Sequence, residues 1–269
     1  ARTAHALGIP FAGHIPEGVP LDTALDARQA SIDHFDRYVE FLVPEDATVR
    51  SRNAGFFGSG WVDAVDTARI PDAVQRTIDA GTWNVPTLSL VASPESAADM
   101  IAWPEMRYMP QSVRDGWVRA KGEFGAREDF QPAAAQRLVE VRRQLLKALH
   151  DRGAPIALGS DAPQFFNVPG FSIHHEMRMM AAAGLTPYEV LATGTTAPAR
   201  YMGTPGEFGV VAPGARADLV LLEADPRQDI GHFKARAGVM VRGRWWPADE
   251  IRGRLDAIAA RYAERASVD

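Results

Sequence analysis

The sequence predicts an α/β fold, in which short parallel strands alternate with helices before a β-rich appendage closes the chain. Two observations support this prediction. Up to about residue 204, short apolar runs that end in a polar residue alternate with helix-like stretches. From Gly209 onward, short apolar runs are separated by glycine turns. The first pattern is typical of a parallel sheet with crossover helices, and the second of short strands joined by tight turns.

The first region contains four strand–helix units. The predicted strands are 9–14, 31–34, 83–91 and 154–161. The predicted helices are 1–7, 20–30, 70–80, 132–152, 173–183 and 187–201. Pro71 near the start and Gly81 after the end of the third helix are typical boundary residues. An insertion rich in Trp and Met covers about 92–131, and those side chains form either a lid over a substrate or the packing core of the insertion.

The appendage begins after residue 204. Its predicted strands are 210–211, 217–222 and 239–245, and a charged helix from 247 to about 265 closes the chain. The predicted organisation is therefore a barrel-type portion at 1–204, a β-rich portion at 205–247 and a C-terminal helix at 248–269.

Composition excludes several classes of protein. The 269 residues include 29 Lys and Arg against 34 Asp and Glu, a net charge of −5. A general nucleic-acid or anionic-membrane binder would normally carry a basic face. No apolar run is long enough to cross a bilayer. The chain has no cysteine, which excludes disulfides, thiol nucleophiles and Cys-ligated metals. We expect a soluble protein, cytoplasmic or exported, that acts on a small molecule.

Three predicted strands end in residues of metal-ligating type, namely His14, His34 and Asp161. In a parallel βα barrel, functional side chains project from the carboxyl ends of the strands. One such histidine would be interpreted as an ordinary hydrogen-bonded residue, but three at equivalent places favour a shared site. Neutral imidazole and carboxylate suit a divalent cation, and zinc is the expected metal.

These strand ends resemble a known family. Phe11-Ala-Gly-His14, Ser31-Ile-Asp-His34, Pro86-Thr-Leu88 and Ala157-Leu-Gly-Ser-Asp-Ala162 look like the fifth to eighth barrel strands of the amidohydrolase superfamily, closest to its imidazolonepropionase-like and prolidase-like members. Residues 209–220 are similar to the return into that family's small β-sandwich. The resemblance implies the C-terminal half of a TIM-like (β/α)8 barrel plus part of a β-sandwich, with the N-terminal half missing from this chain.

The resemblance also implies a metal-dependent hydrolase that cleaves a C–N bond in an amide, cyclic amide or dipeptide-like substrate. His14 and His34 would hold the more exposed of one or two metal ions. Asp161 would contact the buried metal and act as the catalytic proton shuttle. His174, Arg37 and Tyr38 are expected to contact the substrate.

The sequence departs from the family pattern in one respect. The family's first strand supplies a His-x-His pair and its fourth a carboxylated Lys, but this sequence contains no His-x-His. Its lysines, Lys121, Lys147 and Lys234, end none of the predicted strands. We therefore expect a preceding segment or a separate chain to supply both features. Self-association is left open.

Two other functions remain open at this point. The same metal site could hydrolyse esters, lactones or phosphotriesters, because activated water does not select its electrophile alone. The chain could also be a non-catalytic fragment used for binding or assembly.

Overall fold

The computed structural model describes residues 1–91, 96–127 and 130–266. These residues form two compact units. The first contains 1–91, 131–159 and 182–185, and the second contains 96–127, 130, 160–181 and 186–266. The predicted domain limits at 204 and 247 stay a prediction.

The first unit contains the predicted alternation of strands and helices. Its elements are α1 Arg2–Ala6, α2 Leu21–Asp26, β1 Ser31–Asp33, α3 Tyr38–Leu42, α4 Ile70–Ala80, β2 Trp83–Val85 and α5 Leu88–Val91. Three 3₁₀ segments, Thr48–Ser51, Phe56–Ala64 and Thr67–Arg69, lie between α3 and α4. The long helix α8, Pro132–Asp151, also belongs to the first unit. Helices α6 (Ala97–Ile101) and α7 (Gln111–Gly125), which precede α8 along the chain, belong to the second unit.

The strands of the first unit are parallel and follow chain order. β1 pairs with β2 so that Ile32 lies opposite Asn84. On one side, Gly13 bridges to Ile32, and on the other Ile156 bridges to Asn84, both in parallel orientation. All four predicted strand regions thus contribute neighbouring backbone to one parallel arrangement, which confirms the predicted βα organisation.

Prolines make these strands shorter than predicted. The regions 9–14 and 154–161 contribute single bridges, and each contains a proline, Pro10 or Pro155, which has no N–H to donate. The prediction of one strand over 83–91 is wrong beyond Val85, because Pro86 ends β2 and residues 88–91 form α5. Helix α2 is also shorter than the predicted helix 20–30, since it ends at Asp26.

Helices α4 and α8 supply much of the core of the first unit. α4 begins with Pro71 in its first turn and ends at Gly81, which adopts φ 68°, as predicted. On α8, the buried apolar side chains repeat at helical spacing and are Leu138, Val141, Leu145, Leu146 and Leu149. The spacing therefore identified the buried face of this helix correctly.

The second unit contains the described part of the insertion. Its helices are α6 Ala97–Ile101, α7 Gln111–Gly125, α9 Ser172–Ala182, α10 Pro187–Thr193, α11 Thr196–Tyr201 and α12 Ala248–Ala266. The predicted helix 187–201 is therefore two helices, with Gly194 as the C-cap of α10. Met100, Met106 and Met109 of the insertion are buried against Phe166 and Val168. This confirms the packing interpretation for the described part of the insertion.

A small antiparallel sheet completes the second unit. Its order is β3 Leu219–Leu222, β4 Arg236–Val241 and β5 Arg244–Pro247. The prediction of one strand over 239–245 is wrong, because Arg242 and Gly243 adopt φ 48° and 81° and reverse the chain in a two-residue hairpin turn. Residues 210–211, predicted as a strand, are described by the structure and do not form one. No described helix combines the length and apolar character needed to cross a membrane.

Candidate metal and active site

His14 and His34 lie side by side in the first unit. His14 directly follows the Gly13 bridge and His34 directly follows β1. Because the two segments are parallel neighbours, their carboxyl ends lie at the same edge. The two imidazole centroids are 4.6 Å apart, with the ring planes inclined by 31°. The structure therefore brings together two of the three predicted metal ligands.

A carboxylate fixes the orientation of the His14 ring. Nδ1 of His14 is 2.8 Å from Oδ2 of Asp36, which also accepts the backbone N–H of Ile15 at 3.0 Å. A carboxylate can only accept here, so His14 donates through Nδ1, and Nε2 is the nitrogen that carries the lone pair in the neutral ring. A histidine held this way is typical of metal ligands. The His14 side chain is 66% exposed, whereas Asp36 is largely buried.

A hydroxyl fixes the His34 ring in the same way. Oγ1 of Thr87 donates to the carbonyl of Pro86 at 2.9 Å, so at 2.5 Å it accepts from Nδ1 of His34. Only 3% of His34 is exposed. Burial, reinforced by unfavourable electrostatic interactions with His14 and Arg142, lowers the pKa of His34 to about 4. His34 is therefore neutral at pH 7, which is the form that binds a metal.

Backbone strain is concentrated around these histidines. His34 adopts φ 58°, Phe35 55° and Arg37 67°, and Thr87 adopts 43°. A left-handed φ is uncommon outside glycine and is a clear outlier for a β-branched residue such as Thr87. Such strain persists only where surrounding contacts hold it, and it is often found at functional sites.

An aromatic ring covers His34 from the 3₁₀ segment Phe56–Ala64. The Phe57 centroid is 5.5 Å from that of His34, and Phe57 itself has φ 51°. Gly58, the next residue, has φ 79°, and a Cβ there would lie 2.6 Å from the side chain of Val39 on α3. The close approach of Gly58 to α3 therefore fixes the loop that presents Phe57.

Arg37 and Tyr38 are oriented by neighbours within the first unit. Arg37 donates to Oε1 of Glu40 at 2.8 Å. The Tyr38 hydroxyl is 2.7 Å from Oγ1 of Thr77 and accepts from Nδ2 of Asn84 at 3.1 Å. Tyr38 is fully buried, and burial raises its pKa to about 12. These contacts give Tyr38 a structural role, and its contact with a substrate stays a prediction.

Asp161 belongs to the second unit. It is exposed, adopts φ 53° and accepts a hydrogen bond from Nε2 of Gln164. The buried Asn167 donates to the carbonyl of Ser160 at 2.8 Å, so this segment folds back upon itself. The convergence of Asp161 with the two histidines stays a prediction.

His174 lies in a buried, positively charged environment of the second unit. It is 7% exposed, its Nε2 accepts from Arg236 at 3.1 Å, and its ring lies 5.8 Å from Phe233. Burial first, and then Arg236 together with Lys234, lowers the pKa of His174 to about 4. Its predicted contact with a substrate also stays a prediction.

The donor types suit a divalent cation, but their number is insufficient. Because Nδ1 of each ring is hydrogen-bonded, Nε2 is the nitrogen through which either neutral imidazole would bind zinc. A catalytic zinc site normally has three protein ligands. Within residues 1–91, 96–127 and 130–266, no three His, Asp or Glu side chains form a metal-binding group. The described residues therefore bring two imidazoles together, and a metal site stays a prediction.

Three contacts around the histidines were not identified from the sequence. Asp36 accepts from His14, and Thr87 accepts from the ring of His34. Arg142 donates to the backbone carbonyl of His34. Asp36 had no detectable signal, and Thr87 appeared only within the strand motif Pro86-Thr-Leu88, because only the fold brings the two side chains to the imidazoles. Arg142 had a detectable signal, since it is a charged residue on the apolar face of α8, between Val141 and Leu145.

Comparison with known proteins identifies similar sequences and folds. Residues 4–246 match the model of the Amidohydrolase family. An imidazolonepropionase of Ralstonia nicotianae is 32% identical over 123 residues, which are 45% of this chain and 30% of that protein. The structure of bottromycin amidohydrolase matches 97% of this chain and 55% of its own, with a TM-score of 0.67 and 26% identity.

A Xaa-Pro dipeptidase with methionine bound in its active site is a more distant structural match. It covers 92% of this chain and 47% of its own, with a TM-score of 0.54 and 18% identity, and this likeness shows the fold alone. The chain spans about half the length of these two solved structures.

Proposed function

Because the chain belongs to the amidohydrolase family, we propose that it forms part of a metal-dependent hydrolase that cleaves a C–N bond in an amide, cyclic amide or dipeptide-like substrate. The observation that carries this proposal is the pair of imidazoles at 4.6 Å, each with its Nδ1 committed to a hydrogen bond. The amide substrates of similar proteins, among them bottromycin amidohydrolase, support the choice of a C–N bond.

In this proposal, His14 and His34 hold a divalent cation through Nε2, with zinc as the expected ion. When bound, such a cation lowers the pKa of water to about 7 and polarises a carbonyl oxygen. Asp36 and Thr87 hold the two rings in the required tautomer. Neutral His34 avoids the repulsion that an imidazolium would exert on a cation.

Asp161 carries the proton in the same proposal. As the water oxygen adds to the scissile carbonyl carbon, the Asp161 carboxylate accepts a water proton. The same carboxyl then gives that proton to the leaving nitrogen as the C–N bond breaks. Its exposure and its hydrogen bond from Gln164 support this role, because the carboxylate is both accessible and oriented.

We further propose that another segment, in the same polypeptide or a separate chain, supplies a His-x-His pair and a carboxylated Lys. The insufficient number of ligands supports this step. Within the described chain, residues 11–13 pair with β1 and with no other strand, so this edge of the sheet is open. Leu7 and Ile9, just before this edge, are 66% and 55% exposed, which is consistent with a surface that another segment covers.

The test uses the complete protein, meaning this chain together with the segment that completes the site. Bound metal is measured by elemental analysis, and hydrolysis is followed with dipeptides, N-acyl amino acids, cyclic amides, lactones and a phosphotriester. We expect bound divalent metal and hydrolysis of at least one C–N substrate, lost on chelation and restored by zinc or manganese.

Two results would contradict the proposal. Turnover confined to the lactone or the phosphotriester would assign the site to the alternative hydrolase class. A protein without metal that stays inactive after reconstitution would favour a binding or assembly role.

A further inference from the structure

We propose that Arg142 is a positioning residue for His34, acting from helix α8 through a closed ring of hydrogen bonds. The inference rests on the proposed function, because it takes His34 as a metal ligand. Arg142 donates to the backbone carbonyls at two strand ends, one of them that of His34, so we assign its effect to the position of His34.

The guanidinium of Arg142 joins the ends of two strands. One of its terminal nitrogens, Nη1, donates to the carbonyl of His34, and the other, Nη2, donates to the carbonyl of Pro86 at 2.7 Å. His34 and Pro86 directly follow β1 and β2. A single side chain thus fixes the position of two neighbouring strand ends relative to each other, where the candidate ligand lies.

The hydrogen bonds close on His34 itself. The carbonyl of Pro86 that accepts from Arg142 also accepts from the hydroxyl of Thr87 at 2.9 Å. That hydroxyl accepts from Nδ1 of His34 at 2.5 Å. The path therefore runs from the His34 carbonyl through Arg142, Pro86 and Thr87 to the His34 imidazole. Both the backbone and the ring of His34 are set by one network.

The closed ring of hydrogen bonds also explains how the local backbone strain is maintained. His34 and Thr87 have φ values of 58° and 43°, and both belong to the network. Arg142 itself is 3% exposed, with its guanidinium carbon 5.5 Å from the ring of Phe35 and 5.4 Å from that of Phe57. Burying a guanidinium is costly and rarely increases stability relative to apolar residues. Its presence on an apolar helix face is thus better explained by geometry than by stability.

Arginine is the side chain suited to this task. Its planar guanidinium presents several donors in a fixed fork, so two carbonyls can be held at once. A lysine at the same position keeps the charge but offers a single ammonium at the end of a flexible stem. Arg142→Lys therefore separates the effect of charge from the effect of forked geometry.

The experiment compares Arg142→Lys and Arg142→Gln with the wild type in the complete protein. The His34 tautomer is measured by ¹⁵N NMR of the metal-free protein, and zinc affinity by competition with a chelator. We expect mixed His34 tautomers in both variants and zinc binding weakened by about 10- to 100-fold, the range found when partners of metal ligands are removed.

Three matched variants complete the test. Arg143→Lys changes the adjacent arginine, which lines a surface groove beside Lys147, and should leave both readouts unchanged. Thr87→Val removes the hydroxyl that closes the ring and should reproduce the loss without disturbing α8. Thr87→Ser keeps the hydroxyl and should retain the wild-type tautomer.

The outcomes separate this inference from the proposed function. If the wild type binds zinc while folded Arg142→Lys and Thr87→Val keep its affinity and tautomer, the positioning role is wrong. If the Arg142 variants fail to fold, Thr87→Val against Thr87→Ser decides the question. If the wild-type protein binds no divalent metal, the proposed function fails. The His34 tautomers of wild type and variants, compared by NMR, still test the closed ring of hydrogen bonds.

Discussion

His34 and His174, one in each unit, are buried to a similar degree and share a pKa lowered to about 4, yet their partners differ. His34 donates through Nδ1 to a neutral hydroxyl and has a second imidazole 4.6 Å away. His174 accepts a hydrogen bond on Nε2 from Arg236, so that lone pair is already used. A buried neutral histidine is therefore insufficient evidence for a metal ligand. The partner of each ring nitrogen decides what the ring can bind.

The largest expected effect tests whether the second unit contributes chemistry through Asp161. Asp161→Asn should lower kcat of the complete enzyme by about 10²- to 10⁴-fold, because the amide cannot accept a proton. The thermal midpoint should stay near wild type, since this side chain is exposed. Steady-state kinetics and thermal unfolding check both expectations.

Asp72→Asn is a matched control for this change, because Asp72 is also exposed but lies on α4. It should leave kcat unchanged. Retention of more than a tenth of wild-type kcat in Asp161→Asn would count against the proton-shuttle role.

The comparison of the two histidines gives the next prediction. His14→Ala combined with His34→Ala should lower bound metal by about one equivalent per site, whereas His174→Ala should leave the metal content unchanged. Elemental analysis of the three purified proteins provides the measurement. Loss of metal in His174→Ala, with the double variant unaffected, would reverse the assignment of ligands between the two units.

A pH prediction follows from the lowered pKa of His174. An unfolded histidine has a pKa near 6.5, so the unfolded state binds more protons than the folded state between that value and about 4. His174 therefore contributes stability above pH 6.5 that is lost as pH falls towards 4, by roughly 3 kcal/mol in all.

Chemical denaturation of wild type and His174→Gln at pH 7.5 and pH 4 measures this loss. The variant should show a weaker pH dependence, by an amount close to the predicted loss. An equal pH dependence in the two proteins would show that His174 is not held neutral by Arg236 and its buried surroundings.

The smallest expected effect concerns the buried hydroxyl of Tyr38. Tyr38→Phe removes the hydrogen bonds to Thr77 and Asn84 and should lower the free energy of unfolding by about 1 to 3 kcal/mol. KM should be unchanged if the role is structural, as its complete burial suggests. A raised KM without loss of stability would instead support the predicted contact with a substrate.

Much of the fold was predictable because it depends on local signals. Pro71 and Gly81 identified the limits of α4, and the helical spacing identified the buried face of α8. The strand prediction was wrong after Val85 because an apolar run was continued through Pro86, where the chain turns at Thr87 with φ 43°. Periodicity carries no information about such a turn.

The candidate site was predictable only where its residues end predicted strands. His14 and His34 were identified because both end predicted strands, and parallel pairing makes such ends converge. Asp36 could not be identified in the same way, since a carboxylate near a histidine in sequence is common and its direction depends on the local fold. Arg142 lies 108 residues from the His34 carbonyl it binds, so only tertiary structure reveals the contact.

The methionine-rich core of the insertion has a practical consequence for engineering. Met100, Met106 and Met109 pack on Phe166 and Val168, which follow Asp161 closely along the chain. Shortening the insertion would remove the surface that anchors this segment, so a transplanted Asp161 loop should be moved together with residues 96–127. Oxidation of these thioethers would weaken the same core, because sulfoxides introduce polarity where the packing depends on soft, apolar side chains.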